Sequence, residues 1–429
     1  MLTRSWAIVS RMRSGILFLA VAAFLAAGAK APAYVRTGVG PSFSSGIVIR
    51  AGRLWDGSKT INNATITIED GKITSVASGR PKVAAGATEI DLSRYTVIPG
   101  LIDLHTHMTY YWDRQPGTRP LGQPRRTAAQ TAELAADNAR RTLETGVTTA
   151  RDLGASGGAD YLMRDAINTG RMTGPRLIVA GGGVNAGRGS PPETLAQAAR
   201  DRVTAGSDWV KVYASRGSFQ SVETTQTMTF DQMKAIVDAA HALGHKVAIH
   251  SYGASGVKDA VRAGADSVEH GIELDAETFA EMKRRGTVWV PTIDHNQYYV
   301  DAHADYGWAD DVVPPLKDYI AKNLESTRLA FKAGVKIGMG SDAVYSGFGR
   351  NTGELGWFVK AGMKPAEALA TATTIAADLL GMKDTLGRIS PGFVADLVAV
   401  DGNPLAKIDA LFTGVKLVIK DSKIVVDKR

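Results

Sequence analysis

Between residues 99 and 385 the chain alternates eight short β-like runs with helical stretches, and few folds accommodate that pattern. The runs fall at 102–104, 147–150, 176–179, 209–212, 246–249, 267–269, 288–290 and 336–339, with helical patterns such as 230–243 and 316–332 between them. Strands that alternate with helices build a parallel sheet. Eight of them over this length predict an α/β fold of the (β/α)8 TIM-barrel type spanning 99–385. A doubly wound open sheet is the alternative that the alternation alone leaves. Residues 46–98 and 386–429 read differently, as short strands and turns. The alternating Ala64-Thr65-Ile66-Thr67-Ile68, then Asp70-Gly71, then Lys72-Ile73-Thr74-Ser75-Val76 is a hairpin signal. Two β-rich ends around a long middle predict one small discontinuous β-sandwich built from both.

The first 33 residues have a different character. Arg4, Arg11 and Arg13 precede an apolar run over 15–29, followed by Ala27-Gly28-Ala29 and Ala31-Pro32-Ala33. A basic start, a short apolar run and small-residue exits predict a signal peptide over 1–33 and an exported, periplasmic or secreted, protein. The run falls short of the roughly 20 residues a membrane span needs, so no stable membrane insertion is expected after cleavage. Removing the four cations Arg4, Arg11, Arg13 and Lys30 from the formal charge of +7 leaves +3. That balance gives no reason to expect a nucleic-acid or membrane partner. The chain has no cysteine. Disulfides, thiolate metal sites and cysteine nucleophiles are therefore excluded, and any metal must be held by His, carboxylate or a modified Lys.

The chemistry concentrates at strand ends. Pro99-Gly100-Leu101-Ile102-Asp103-Leu104-His105-Thr106-His107 is an apolar strand that ends in His-x-His. Side chains alternate along a strand, so His105 and His107 face one side. His250, His270 and Asp342 follow the fifth, sixth and eighth runs, and Lys211 lies in the fourth. A barrel converges the C-terminal ends of its strands on one mouth. Tyr213, two residues past Lys211, shares its side. Arg188, Arg216 and Arg350 follow the third, fourth and eighth runs, where one of them is expected to clamp a substrate carboxylate; Arg216 is the tentative choice, with His295 after the seventh run as a second substrate contact. Aromatics crowd the same face at Tyr110, Tyr111, Trp112, Tyr298, Tyr299, Tyr345 and Phe348, which points to a bulky apolar substrate. The segment 114–126, with three prolines and four arginines, reads as a lid or subunit contact. His241, His245 and His303 read as surface residues, and Asp152 as a structural acceptor. Gly181-Gly182-Gly183 lacks the Lys-Ser/Thr ending of a phosphate loop.

These motifs resemble the amidohydrolase superfamily over essentially the whole chain after the leader. Val97-Ile98-Pro99-Gly100-Leu101-Ile102-Asp103-Leu104-His105-Thr106-His107 is similar to that family's first-strand signature. The stretch from Gly387-Arg388-Ile389 to Ala395-Asp396-Leu397 is similar to its closing one. The Lys on the fourth strand, and the successive intervals of 39 residues from Lys211 to His250, 20 from there to His270 and 72 from there to Asp342, resemble the branch of prolidase-like dipeptidases, N-acyl amino acid hydrolases and ochratoxinase-like amidases. The resemblance implies two divalent cations, zinc by preference. His105, His107 and Asp342 would hold the more buried ion and His250 and His270 the more exposed one, with a carbamylated Lys211 between them. It implies hydrolysis of an amide, peptide-like or N-acyl amino acid bond, ochratoxin A included, by metal-activated hydroxide. Asp342 would move the proton and Tyr213 would steady the oxyanion. Substrates would be small aromatic amides bearing a carboxylate, and the protein a homo-oligomer, up to an octamer. Cyclic-amide opening and deamination are the rival chemistries. Deamination is disfavoured because Ser251, Tyr252 and Gly253 follow His250 without a Glu. A catalytically inactive binding protein is the rival from another class.

Overall fold

A computed structural model describes residues 46–82, 86–187, 189–217 and 220–429. The leader over 1–33 and Arg188 lie outside the described residues. Strands β1 (Ile47–Trp55), β2 (Thr60–Glu69), β3 (Lys72–Ser78) and β4 (Thr88–Pro99) open the fold. The middle contributes β5 (Leu101–Thr106), β6 (Val147–Asp152), β7 (Arg176–Val179), β8 (Val184–Asn185), β9 (Trp209–Tyr213), β10 (Lys246–His250), β11 (Ser267–Glu269) and β12 (Val288–Val290). The chain ends with β13 (Leu397–Val400), β14 (Val415–Lys420) and β15 (Lys423–Asp427).

The two ends share one seven-stranded sheet, ordered β15-β14-β13-β4-β1-β2-β3. The β2–β3 hairpin turns on Asp70-Gly71, both at positive φ (49° and 78°), the geometry that the right-handed strand twist favours. One curled layer, not two stacked sheets, encloses this core. The edge strand β3 bonds back to the segment leading into β13, through Ile73 N to Phe393 O at 2.9 Å and Gly392 N to Ile73 O at 2.8 Å. The curl buries Ile49, Leu54, Ile66, Val97, Leu397 and Leu417 on its inner face.

The middle is TIM-barrel-like. Parallel strands form two arcs, β5-β6-β7 and β12-β11-β10-β9-β8, with helices between successive strands except between β7 and β8. Asp208 N donates to Val179 O at 2.7 Å where β7 meets the start of β9. The eighth run, expected as a strand over 336–339, is irregular. Residues 336–343 lie between β12 and β5 with only the bridges Ile337–Trp289 and Ala343–Thr106. They bond to both neighbours even so: Gly338 N to Trp289 O at 2.9 Å, Leu104 N to Met339 O at 2.9 Å and Asp342 N to His105 O at 2.7 Å. At Asp342 the chain takes a left-handed φ of 48°, and no strand continues through it. The expected helices over 230–243 and 316–332 are Phe230–Ala242 and Val313–Ala333. Among the described residues no helix is long and apolar enough to cross a membrane.

Sheet and barrel meet at Gly100, where β4 runs directly into β5. Gly100 N donates to Asp396 O at 2.8 Å, and an added Cβ would strike the Thr148 side chain and lie 2.9 Å from Asp396 Cβ. Gly100→Ala should therefore overpack the junction and cost ~1–3 kcal/mol, read as a lower thermal midpoint with an unchanged far-ultraviolet spectrum.

Candidate metal centre

Each residue at the mouth is placed by the end of a strand or by a turn out of one. His105 lies in β5 and His107 just past it. Asp103 fastens this strand to the eighth segment, accepting from Ser341 Oγ at 2.6 Å, Ser341 N at 2.9 Å and Asn351 Nδ2 at 3.0 Å. Lys211 and Tyr213 alternate in β9, with the Lys211 ammonium 5.1 Å from the Tyr213 ring centre. His250 closes β10. His270 follows β11 at φ 66° and Asp342 sits at φ 48°. Left-handed φ is uncommon for residues with a side chain and concentrates at functional sites. Here it bends both residues out of line so that they meet.

All six predicted ligand residues are buried, and they converge. His105, His270 and Asp342 each present a ligand atom within 4.8 Å of the others. Asp342 Oδ1 lies 3.4 Å from His105 Nε2 and 3.3 Å from His107 Nε2, while Oδ2 lies 3.9 Å from His270 Nε2. Lys211 Nζ is 3.4 Å from His105 Nε2. His250 sets its ring edge-on to His270 with centres 4.5 Å apart. Asp342 thus stands between the two histidine pairs that the resemblance separates.

The charge states suit a cation. Burial lowers the His250 and His270 imidazoles well below their ordinary range and brings His105 to about 4. Near neutral pH these rings are uncharged, with lone pairs free for a metal. Burial would raise the Asp342 carboxyl, but His295, His105 and His107 outweigh it and hold the group well below the carboxylate range. Burial also lowers the Lys211 ammonium to about 8, against the pull of Glu269 and Asp342. A larger share of its amine is then free near neutral pH than for an exposed lysine, and the free amine is the form that adds carbon dioxide. Imidazoles and a carboxylate packed together without cysteine make a donor set that fits zinc or manganese.

Further residues support this group that the sequence did not single out. Glu269 Oε2 lies 2.8 Å from His105 Nδ1, the Gly154 carbonyl 2.9 Å from His107 Nδ1 and Thr292 Oγ1 2.6 Å from His270 Nδ1. The ring of Tyr252 stacks on His270 at 4.8 Å. A metal-binding histidine needs a partner on its second nitrogen, and that rule was the available signal. It does not say which residue supplies the partner, and Glu269 reads from sequence as an ordinary strand residue beside a ligand.

The tentative contacts separate. His295 is buried against the site, its Nδ1 3.3 Å from Asp342 Oδ2 and 2.9 Å from the Asp342 carbonyl. Arg216 is exposed on the excursion after β9. Arg350 is engaged elsewhere, paired with Asp301 at 2.8 Å and Asp294 at 3.6 Å. Tyr111, Tyr299 and Phe348 are interior packing, Tyr298 turns its hydroxyl to His295 Nδ1 at 2.9 Å and the Asp342 carbonyl at 3.1 Å, and Tyr110, Trp112 and Tyr345 are half-buried. Tyr110 stacks on His107 at 4.9 Å and reaches Tyr345 at 5.7 Å. Segment 114–126 lacks regular structure, and its Leu121 packs among the mouth aromatics. His241 pairs with Asp266 and His303 with Asp310 at the surface. Asp152 accepts from the backbone N–H groups of Met108 and Gly154.

Comparison with known proteins bears on this arrangement. The profile of the amidohydrolase family matches residues 96–425. The ochratoxinase of Aspergillus niger is 28% identical over 408 residues, covering 84% of this chain and 82% of the ochratoxinase. A Xaa-Pro dipeptidase with methionine in its active site superposes with a TM-score of 0.80 at 32% identity, over 89% of this chain and 99% of the dipeptidase. A prolidase bound to N-methylphosphonate-L-proline gives 0.79 at 27% identity, over 89% of this chain and all (100%) of the prolidase.

Proposed function

This chain belongs to the amidohydrolase family, and from that premise we propose that it is a two-metal hydrolase of peptide-like or N-acyl amino acid amides. The observation that carries the reading is the buried meeting of His105, His107 and His270 at Asp342, with Lys211 set against His105 and His250 against His270. His105, His107 and Asp342 would hold one cation and His250 and His270 the other, with Lys211 as its carbamate between them. Such ions, zinc by preference, supply an acidified water and polarise the scissile carbonyl. Asp342 is ionised and central, so it takes a proton from the attacking water and delivers it to the leaving nitrogen as the C–N bond breaks.

Tyr213 is placed to donate its phenolic proton to the developing oxyanion. A Cβ added to Gly154 would lie 2.7 Å from the Tyr213 hydroxyl and 3.0 Å from the His107 ring, which puts that hydroxyl at the edge of the centre. Burial raises its pKa, so it remains a donor. Gly183 backs the ring closely enough that an added Cβ would collide with it. Gly183→Ala should displace Tyr213 and match Tyr213→Phe. In both, kcat should fall on the order of 10²-fold with metal content unchanged.

His105, His250 and His270 are neutral donors, so two dications, one carbamate and one Asp342 leave a positive centre. That charge, with Tyr110, Trp112 and Tyr345 near the mouth, supports an aromatic, carboxylate-bearing substrate. Similarity to ochratoxinase and to prolidases makes ochratoxin A, N-acyl phenylalanine and Xaa-Pro dipeptides the panel to assay, each beside its carboxamide counterpart. The carboxylates should turn over at least tenfold faster in kcat/KM. Equal rates would remove the charge preference, and no turnover across the panel would remove amide hydrolysis. Arg216 and His295 are the side chains we propose for contact with the carboxylate and the acyl group. The leader supports export, and the resemblance supports a homo-oligomer up to an octamer; cell fractionation and light scattering test these.

A further inference from the structure

Beneath the centre lies a buried ion pair that the chemistry above does not use. Arg151 on β6 and Glu269 at the end of β11 are both fully enclosed, at 0% exposure. Each nitrogen of Arg151 has a partner. Its Nη2 donates to Glu269 Oε1 at 2.9 Å, its Nη1 to Ser267 Oγ at 3.0 Å and its Nε to the Leu104 carbonyl at 2.6 Å. Its guanidinium also lies 4.4 Å from the Trp209 ring centre. Ser267 Oγ donates to the same Glu269 Oε1. The other carboxylate oxygen, Oε2, faces His105 Nδ1 at 2.8 Å.

Ion pairs this deep are poor stabilisers, since apolar residues of similar volume fill the space at equal or lower cost. What apolar residues cannot do is present an anion to an imidazole. His107 and His270 have neutral partners, a carbonyl and a hydroxyl. The Thr292 hydroxyl can donate or accept, so it does not choose a tautomer for His270. The Glu269 carboxylate only accepts. On this reading of the site as a metal centre, we propose that Glu269, clamped by Arg151, is the positioning residue that keeps the His105 proton on Nδ1. The Nε2 lone pair then points at Asp342 and Lys211, each 3.4 Å away. The anion also makes that ring a stronger donor than its neighbours.

Glu269→Gln separates this role from packing. The guanidinium holds the amide oxygen, so the amide NH2 is turned toward His105 Nδ1. The ring must then accept there and carry its proton on Nε2, where it blocks a ligand. Zinc affinity measured by chelator competition should weaken 10–100-fold, and zinc stoichiometry should fall below that of the wild type. Ser267→Ala removes an equally buried bond to Glu269 without touching His105. It should lower the thermal midpoint and leave zinc affinity unchanged. A Gln variant that melts lower but binds zinc like the wild type overturns the proposal. Should that variant not fold, wild-type protein decides the matter. Long-range ¹H–¹⁵N spectra, with His105 assigned by its loss in His105→Asn, should show a protonated Nδ1, and a protonated Nε2 overturns the proposal. Wild-type protein that takes up no zinc overturns the metal-centre reading itself and this role with it.

Discussion

Asp342→Asn should reduce kcat on the order of 10³-fold or more against the best substrate of the panel, while the protein stays folded. The side chain keeps its volume but loses its charge. Asp342 lies 3.3 Å from His107 and 3.4 Å from His105 on one oxygen, and 3.3 Å from His295 on the other. An amide there neither takes a proton from water nor returns it to the leaving nitrogen, which alone accounts for about 10²–10⁴-fold. It is also a weaker ligand, so zinc content should drop. Zinc per chain and single-turnover rates measured together apportion the loss. Reduced turnover at full zinc assigns it to proton transfer, and proportional loss of both assigns it to binding. Unchanged turnover would take Asp342 out of the chemistry.

Lys211→Ala should fall at least about 10²-fold in kcat/KM and bind fewer cations. The amine at this position is 1% exposed and burial brings its ammonium to about 8. Free amine and carbon dioxide give a carbamate and a proton, which replaces a repelled cation with two anionic oxygens. Reconstituting metal-stripped wild type in buffer purged of carbon dioxide should yield little activity until bicarbonate is added. Alanine leaves a void the length of the lysine side chain, so propionate should partly restore the variant. Full activity in Lys211→Ala, or reconstitution indifferent to bicarbonate, would remove the carbamate.

What sequence reveals about this site follows from how regular the backbone is at each residue. His105 and His107, and Lys211 and Tyr213, were legible because a two-residue spacing on a strand puts both side chains on one side. The two-residue turn at Asp70-Gly71 was legible for a similar reason, since turn chemistry is local. The support from Glu269 was not. Neighbours in a strand face opposite sides, so Glu269 and His270 should not serve one site. They do because His270 leaves the strand at φ 66°. The same conformation at Asp342 turns the chain out of the eighth run, which carries strand-like residues but forms only two bridges. Arg350 shows the other limit. It follows the eighth run as a clamp should, yet the acids of the helix Ile293–Tyr306 engage it. Such pairings depend on which helix lies alongside, and spacing does not disclose that.

The shared sheet bears on how the molecule comes into being. Strand β4 leads straight into β5, and its partner on one side, β13, pairs Leu397 with Pro99. Those residues are separated by almost the whole ring of catalytic strands. Contacts so distant in sequence form slowly, because a long loop must close before they repay its entropy. Strand β4, which leads into the first histidine strand, therefore gains its β13 partner only once the last part of the chain has been made. A nascent chain lacking that part would expose the flank of β4 as an open edge, the kind of surface on which partly folded chains associate.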